Sequence, residues 1–511
     1  MKRKISLPAL VIAVAIAGFL TLTMAPKSFA ASQANKAGVT FSASGQYIGK
    51  AFWSQNQAQM FTDAGVYPNS NSFEVFLQRL RMNASISYDK LADGMPLAAI
   101  FTQFDMTNAY NGVTNGYGTN GWQALGGTTV PMGFNHDFNT FGLRQAYIRF
   151  ITPIGAVMFG RMPVKFGLGV AVNTNADGVG DFLPLGNVGV FLGNLFGNET
   201  TAYSNGTAPG IIGGTPPPAY GYSHIQSGTI PTIEVMSLKP MNDVSWSAWL
   251  TEAHLNQFGA QLSNVLSAAA TGAPYSPTTT LSSNSPSANI TYGGLSATYA
   301  NKGTNVAGEF DYFRGSIASG YTKINSYDLY LTGSQLLNTS TPTTVGLKFG
   351  MGGPISAGHL DMTYYSMVQN TRTLFGDVIG NNWQPIEFAA PGLQAFYSAP
   401  GEAMGTNLAN RYVIMVDAVE HFTGTNDLQE SLIHAAWLKD SIEGHKVFGG
   451  SNIGTEFDLN FTHHFTKTLA WQAWGGYVWT GSGVESLTSA TVGNPSHKDI
   501  TALGTAVIWN F

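Results

Sequence analysis

DITALGTAVIWNF, residues Asp499 to Phe511, closes the chain. In an extended strand, side chains alternate between two faces. That puts Leu503, Val507, Trp509 and Phe511 on one side with Thr505 among them, and Ala502, Gly504, Ala506 and Asn510 on the other. An amphipathic strand tipped with a bare aromatic carboxylate leaves an unpaired edge beside apolar surface, which soluble sheets avoid. A membrane barrel uses such a strand differently, since pairing it with the first strand removes the last edge from lipid.

The same tail resembles the C-terminal assembly signal of Gram-negative outer-membrane barrels. The resemblance implies that Val507, Trp509 and Phe511 are read by the barrel-assembly machinery. At the other end, Lys2, Arg3 and Lys4 precede an almost wholly apolar stretch from Ile5 to Met24, and Ser28-Phe29-Ala30 offers a small-x-small cleavage site. This is the pattern of a secretory signal peptide, so residues 1–30 are expected to be removed and residues 31–511 to form one domain. No later segment has the ~20 consecutive apolar residues of a membrane-spanning helix. A membrane protein made from this chain is therefore all-β.

Composition agrees. Charged residues make up 10% of the chain and aromatics 12%, where ordinary soluble proteins carry about 25% charge. Few charges with many Tyr, Trp and Phe suit a barrel with a lipid-facing band and aromatic girdles. Removing residues 1–30 takes away Lys2, Arg3, Lys4 and Lys27 and no acid, so the net charge of −5 becomes −9. Such a balance argues against nucleic acid as a partner. With Cys 0, disulfides, thiolate metal sites and cysteine catalysis are excluded.

Segments of about ten residues with alternating polarity recur down the chain, as in transmembrane barrels. The sharpest runs from Arg79 to Tyr88, where Leu80, Met82, Ala84, Ile86 and Tyr88 alternate with Arg79, Arg81, Asn83, Ser85 and Ser87. Seventeen such segments can be marked, among them 357–369. A bacterial barrel with both ends on one side needs an even number. The expected fold is a transmembrane antiparallel up-and-down β-barrel of eighteen strands, with sixteen as the alternative. The short-turn, long-loop alternation loses phase between Gly315 and Val345. The glycine-rich connection 163–230 is too apolar for an exposed loop. It either folds into the lumen, the preferred reading, or hides a strand pair.

LRQAYIRFITPIGAVMFGRMPVKFGLG (143–169) resembles a hairpin of general and substrate-selective porins, including alginate-export and phosphate-porin type barrels, and NIGTEFDLNF (452–461) is similar to their penultimate hairpin. The resemblance implies a pore-forming barrel in the outer membrane, in contact with its lipid and passing small hydrophilic solutes. It does not name a substrate.

In such a barrel the informative side chains point inward. Arg79, Arg81 and Arg149 share the polar faces of their strands, as do Glu309, Asp311, Glu456 and Asp458 on theirs. An arginine row facing an acidic wall would set a transverse field across the lumen, since pores use rings of charged side chains to set ion preference. Arg161 is left unassigned, because a register change of one residue reverses every following side chain. His463-His464 is a weak metal candidate, since neighbours on a strand face opposite ways. His136-Asp137 and Asp177 to Asp181 read as solvated loop polarity. No Gly-x-Ser-x-Gly elbow, Walker loop or His-Glu-x-x-His helix occurs, so no catalytic residues, metal or cofactor are assigned and an enzyme is not expected. The leading function is a passive diffusion channel, as a monomer or an oligomer. The alternatives are a non-channel barrel serving as scaffold or electron-conduit sheath, and, less favoured, an outer-membrane enzyme.

Overall fold

The computed structural model describes residues 38–55, 72–90, 96–111, 140–196, 228–255, 288–317, 322–354, 359–360, 411–442, 445–446, 450–484 and 499–511. The expected signal peptide lies outside them, as does His136-Asp137. Eighteen antiparallel strands follow one another around a ring: β1 (Val39–Gln55), β2 (Ser72–Lys90), β3 (Pro96–Asn111), β4 (Thr140–Thr152), β5 (Gly155–Lys165), β6 (Asn173–Leu185), β7 (Val188–Phe196), β8 (Gly228–Ser237) and β9 (Val244–Leu255) make the first half. The second half is β10 (Ala288–Asn301), β11 (Thr304–Ile317), β12 (Thr322–Leu337), β13 (Thr343–Gly352), β14 (Arg411–Thr423), β15 (Asn426–Trp437), β16 (Asn452–His464), β17 (Leu469–Thr480) and β18 (Ile500–Asn510). Each pairs with the next, and β18 pairs with β1 from Gln46↔Asn510 to Gln55↔Thr501, so the sheet closes.

The count of eighteen is as expected, but two of its parts are not. The connection 163–230 contains β6 and β7, so the hidden strand pair is real. Segment 357–369 supplies no stave among the described residues: only His359–Leu360 is strand, lying parallel to Lys323–Ile324 of β12. The phase lost after Gly315 has a simple cause. Four residues separate Ile317 from Thr322, so one connection at the long-loop end is as short as a turn.

At the short-turn end, the two-residue link between β10 and β11 holds Lys302 at φ 42° and Gly303 at φ 87°. Positive φ at both central positions matches the twist of a tight hairpin. From that turn the pleat alternates upward. Leu295 faces Phe310 on the outside, while Ser296 faces Glu309 and Gly294 faces Asp311 on the inside. Outward residues such as Leu250, Leu295, Val416, Leu432 and Phe159 are exposed, Leu295 to 62%. Inward ones such as Glu309, Asp311, Asp328, Glu456 and Asp458 are at most 1% exposed. A sheet that buries its charges and bares its leucines is built for hydrocarbon outside, as in an outer-membrane β-barrel.

This polarity fixes one prediction. Ala84 lies opposite Ala43 in the outward row of β2 beside Met82 and Ile86. Ser85 lies in the inward row, its hydroxyl 2.6 Å from that of Ser42. Ala84→Arg is expected to cost roughly 2–4 kcal/mol near the bilayer midplane and Ser85→Arg much less. Unfolding of both variants in lipid vesicles checks it, and equal midpoints would mean the faces are reversed.

Candidate functional site

The interior has two electrostatic sides. On β2, Arg79 and Arg81 lie in the inward row, opposite Ile48 and Gln46 of β1. Arg79 is 6% exposed, and its Nη2 donates to Gln46 Oε1 at 2.6 Å. Gln46 Nε2 in turn donates to Asn510 Oδ1 at 3.0 Å, tying the arginine to the closing strand. On β4, the Arg149 guanidinium lies 5.1 Å from the centre of the Phe101 ring, which stacks on Tyr147 at 4.9 Å. The aromatic pair supports the cation from below, a contact stronger where water is scarce.

The acids form the other side. Glu309 and Asp311 on β11 are nine staves from β2 in a ring of eighteen, hence diametrically opposite. Glu456 and Asp458 on β16 also face inward, but only four staves from β2. The four acids are therefore an arc and not a single wall. Three more inward acids extend it: Glu234 on β8, Asp328 on β12 and Asp417 on β14. Glu234 and Asp328 could have been found from their alternation with Ile233 and Val235, and with Tyr327 and Leu329. Asp417 is masked by inward Val413 and Met415, which make its strand read as apolar on both faces.

Glu309 has a specific task. Between β5 and β6 the chain turns into the barrel as FGLGVAV, residues 166–172. Gly167 adopts φ 55° and Gly169 φ 85°, and a side chain at Gly167 would collide with the Glu309 carboxylate. The backbone N–H groups of Leu168, Val170 and Ala171 all donate to Glu309, those of Val170 and Ala171 to Oε1 at 2.9 and 3.3 Å. Gly167 N–H donates to Glu234 Oε1 at 3.2 Å. Successive amides thus cradle two carboxylates, in the manner of an anion-binding nest. The loop's side chains pack on the wall, Phe166 stacking on Trp249 at 5.4 Å, and Trp249 and Tyr292 meeting edge to face at 5.6 Å. These seven residues turn inward, whereas the β6 and β7 that follow are staves of the sheet.

A second packed zone lies on β14 to β18. Arg411, 1% exposed, sits 5.0 Å from the Trp437 ring centre, and Trp437 Nε1 donates to Gly483 O at 2.7 Å. Nothing in the sequence pattern marks Arg411, which opens its strand.

The remaining candidates fall apart. Arg161 faces outward and pairs with Asp177 at 3.2 Å, so Asp177 to Asp181 lies on β6 and not in a loop. His463 and His464 take separate partners at the short-turn rim, Asn426 at 2.7 Å and Asp427 at 3.5 Å. Among the described residues no three His, Cys, Asp or Glu side chains form a metal-binding group. Of the assembly candidates, Val507 lies opposite Gly49, Trp509 opposite Tyr47, and Phe511 pairs its backbone with Gly45 at 2.7 and 2.9 Å.

No protein-family model and no curated protein matches the chain. Solved structures of similar outline include OccAB4 of Acinetobacter baumannii, at TM-score 0.47 and 10% identity over 94% of this chain and 99% of that one. OccK5 (OpdH) of Pseudomonas aeruginosa gives 0.46 and 9% over 92% and 98%. The anion-selective porin of Comamonas acidovorans gives 0.40 and 10% over 93% and 100%. At such scores and identities the likeness is one of general outline and says nothing of what each protein carries.

Proposed function

We propose that this chain forms an outer-membrane channel for passive diffusion of small hydrophilic solutes, screened by the field between Arg79, Arg81 and Arg149 and the acidic arc. The observation that carries this reading is the inverted barrel, with an apolar outer face around an interior charged with both signs. Charges are retained inside a bilayer only where they pair or meet water. The inward loop on Glu309 narrows the cross-section, and the terminal strand engages the assembly machinery. Neither an enzyme nor a nucleic-acid partner fits these residues.

Conductance in planar bilayers tests it. Replacing Arg79, Arg81 and Arg149 together by Gln keeps hydrogen-bonding capacity and removes about three positive charges. Reversal potentials under a salt gradient are expected to move toward cation selectivity, most at low ionic strength where screening is weak. Unchanged potentials at low and high salt would place these arginines outside the conducting path.

A second reading is a closed scaffold. It is favoured by the packed β14–β18 interior, where Ile433, Ile453, Val478 and Ile500 are 0% exposed. Absence of any conductance from correctly inserted protein would select it.

A further inference from the structure

The outer wall carries a face that hydrocarbon suits poorly. Along one ladder row from β4 to β9, the outward side chains are Phe150, Val157, Asp181, Leu192, Ile233 and Leu250. Phe150, Leu192, Ile233 and Leu250 are exposed, as a lipid-facing row requires. Asp181 interrupts them, and its Oδ1 is buried without a hydrogen-bond partner. The next outward row holds Phe159, Val179 and Asn194, and the one beyond it pairs Arg161 with Asp177 at 3.2 Å. Ionisable groups persist at membrane depth where they pair with one another or meet water. Asp177 has its arginine, and Asp181 has no cation of its own among the described residues.

The same face offers what Asp181 lacks. The Arg161 side chain is 40% exposed, and a guanidinium has five N–H donors, so it can serve a second carboxylate beside Asp177. Arg161 is the seventh residue after Ile154 in the β4–β5 turn, and Asp181 is the fifth before Gly186 in the β6–β7 turn. The two therefore stand at similar heights in the bilayer, on neighbouring strands, without meeting within one chain. We propose that a second copy of this chain docks on the β5–β7 face about a two-fold axis normal to the membrane, each Arg161 bridging its own Asp177 and the partner's Asp181.

Charge complementarity selects the occupant. An isologous contact needs a patch that complements itself, and this one presents a cation and an uncompensated acid side by side. Lipid tails answer neither charge. Phe159, Val179 and Leu192 surround the polar groups with apolar surface that a second copy would cover. The pairing involves the outer wall alone, so its failure and that of the channel reading are separate results.

The test is thiol cross-linking in intact outer membranes. The chain has no cysteine, so a single introduced thiol reports its own contacts. Val179→Cys lies in the row between Asp181 and the Arg161–Asp177 pair. Leu432→Cys, on the exposed outward row of β15 beside Glu430, is the control. With a short bis-maleimide, a product of twice the chain mass is expected from Val179→Cys and not from Leu432→Cys. Adding Asp181→Asn to Val179→Cys is expected to lower that product severalfold, and Asp181→Glu to retain it. No product at Val179, equal products at both positions, a product of any other mass, or a yield unmoved by Asp181→Asn overturns the proposal. Where a variant does not insert, light scattering of the detergent-solubilised wild type decides. Two chains per particle support the pairing, and one overturns it.

Discussion

Deleting Phe511 is expected to leave export intact and to lower the amount of inserted, heat-modifiable barrel severalfold. Two backbone hydrogen bonds tie Phe511 to Gly45, at 2.7 and 2.9 Å, where the ring closes. The Phe511 ring lies over the Cα of Gly45, so any side chain there collides with it, and Trp509 packs on Phe511 at 5.2 Å. Each lost hydrogen bond costs about 0.5–1.5 kcal/mol, and the aromatic contact about 0.5–1.5 kcal/mol more. Those sums are modest for a finished barrel. The larger effect comes earlier, because a barrel that has not closed presents two strand edges to lipid. Gly45→Leu should reproduce the deletion by displacing the ring while leaving the C-terminal sequence whole. Semi-native electrophoresis of membrane fractions reads both variants. Wild-type amounts of folded protein from the truncated chain would sink the idea.

Glu309→Ala is expected to release the inward loop and raise single-channel conductance. Three loop amides lose their acceptor, and bonds to a charged group contribute roughly 1.5–3 kcal/mol each. Two effects oppose that loss. Lumenal water rehydrates part of the freed backbone, and Asp311 loses one negative neighbour. A net cost of about 3 kcal/mol remains as the expectation, in the range of other variants that orphan buried polar groups. Glu309→Gln retains one carbonyl oxygen and should fall between the two. A spin label at Val170 reports the loop directly. Unchanged label mobility together with unchanged conductance would show that Phe166 and its aromatic stack hold the loop without the carboxylate.

Much of this was legible from residues 79–88 and 499–511, where strict alternation states both the strand and its faces. β6 was not, for a physical reason. Its outward row holds Asp177, Val179 and Asp181, while its inward row holds Gly178 and Gly180. That is the reverse of the polarity by which a stave is recognised, and the pairing of Asp177 with Arg161 on the neighbouring strand makes it tolerable. Segment 357–369 lies outside the described residues except for His359–Leu360, and β13 pairs directly with β14, a neighbour that periodicity alone does not choose. Glu309 was singled out as a pore charge. Its contacts lie 138–141 residues away in sequence, beyond any local pattern, so its role as an anchor could not be read. Asp328 was missed although its alternation was plain.

Ring closure also sets an order of events. Nearly every strand pair joins neighbours in sequence, so each hairpin can form as soon as its own two strands exist. Gln46 and Asn510 are the exception, 464 residues apart. Their meeting is a search problem, whose entropic cost grows only with the logarithm of the intervening length while the chain is loose. Once the intermediate hairpins have zipped, the curved sheet itself brings the two edges together and the search becomes short. Assembly should therefore show fast, local strand pairing followed by one slow closing step. Variants at Gly45 or Phe511 should retard that step alone, while turn variants such as Gly303→Val slow the phase before it.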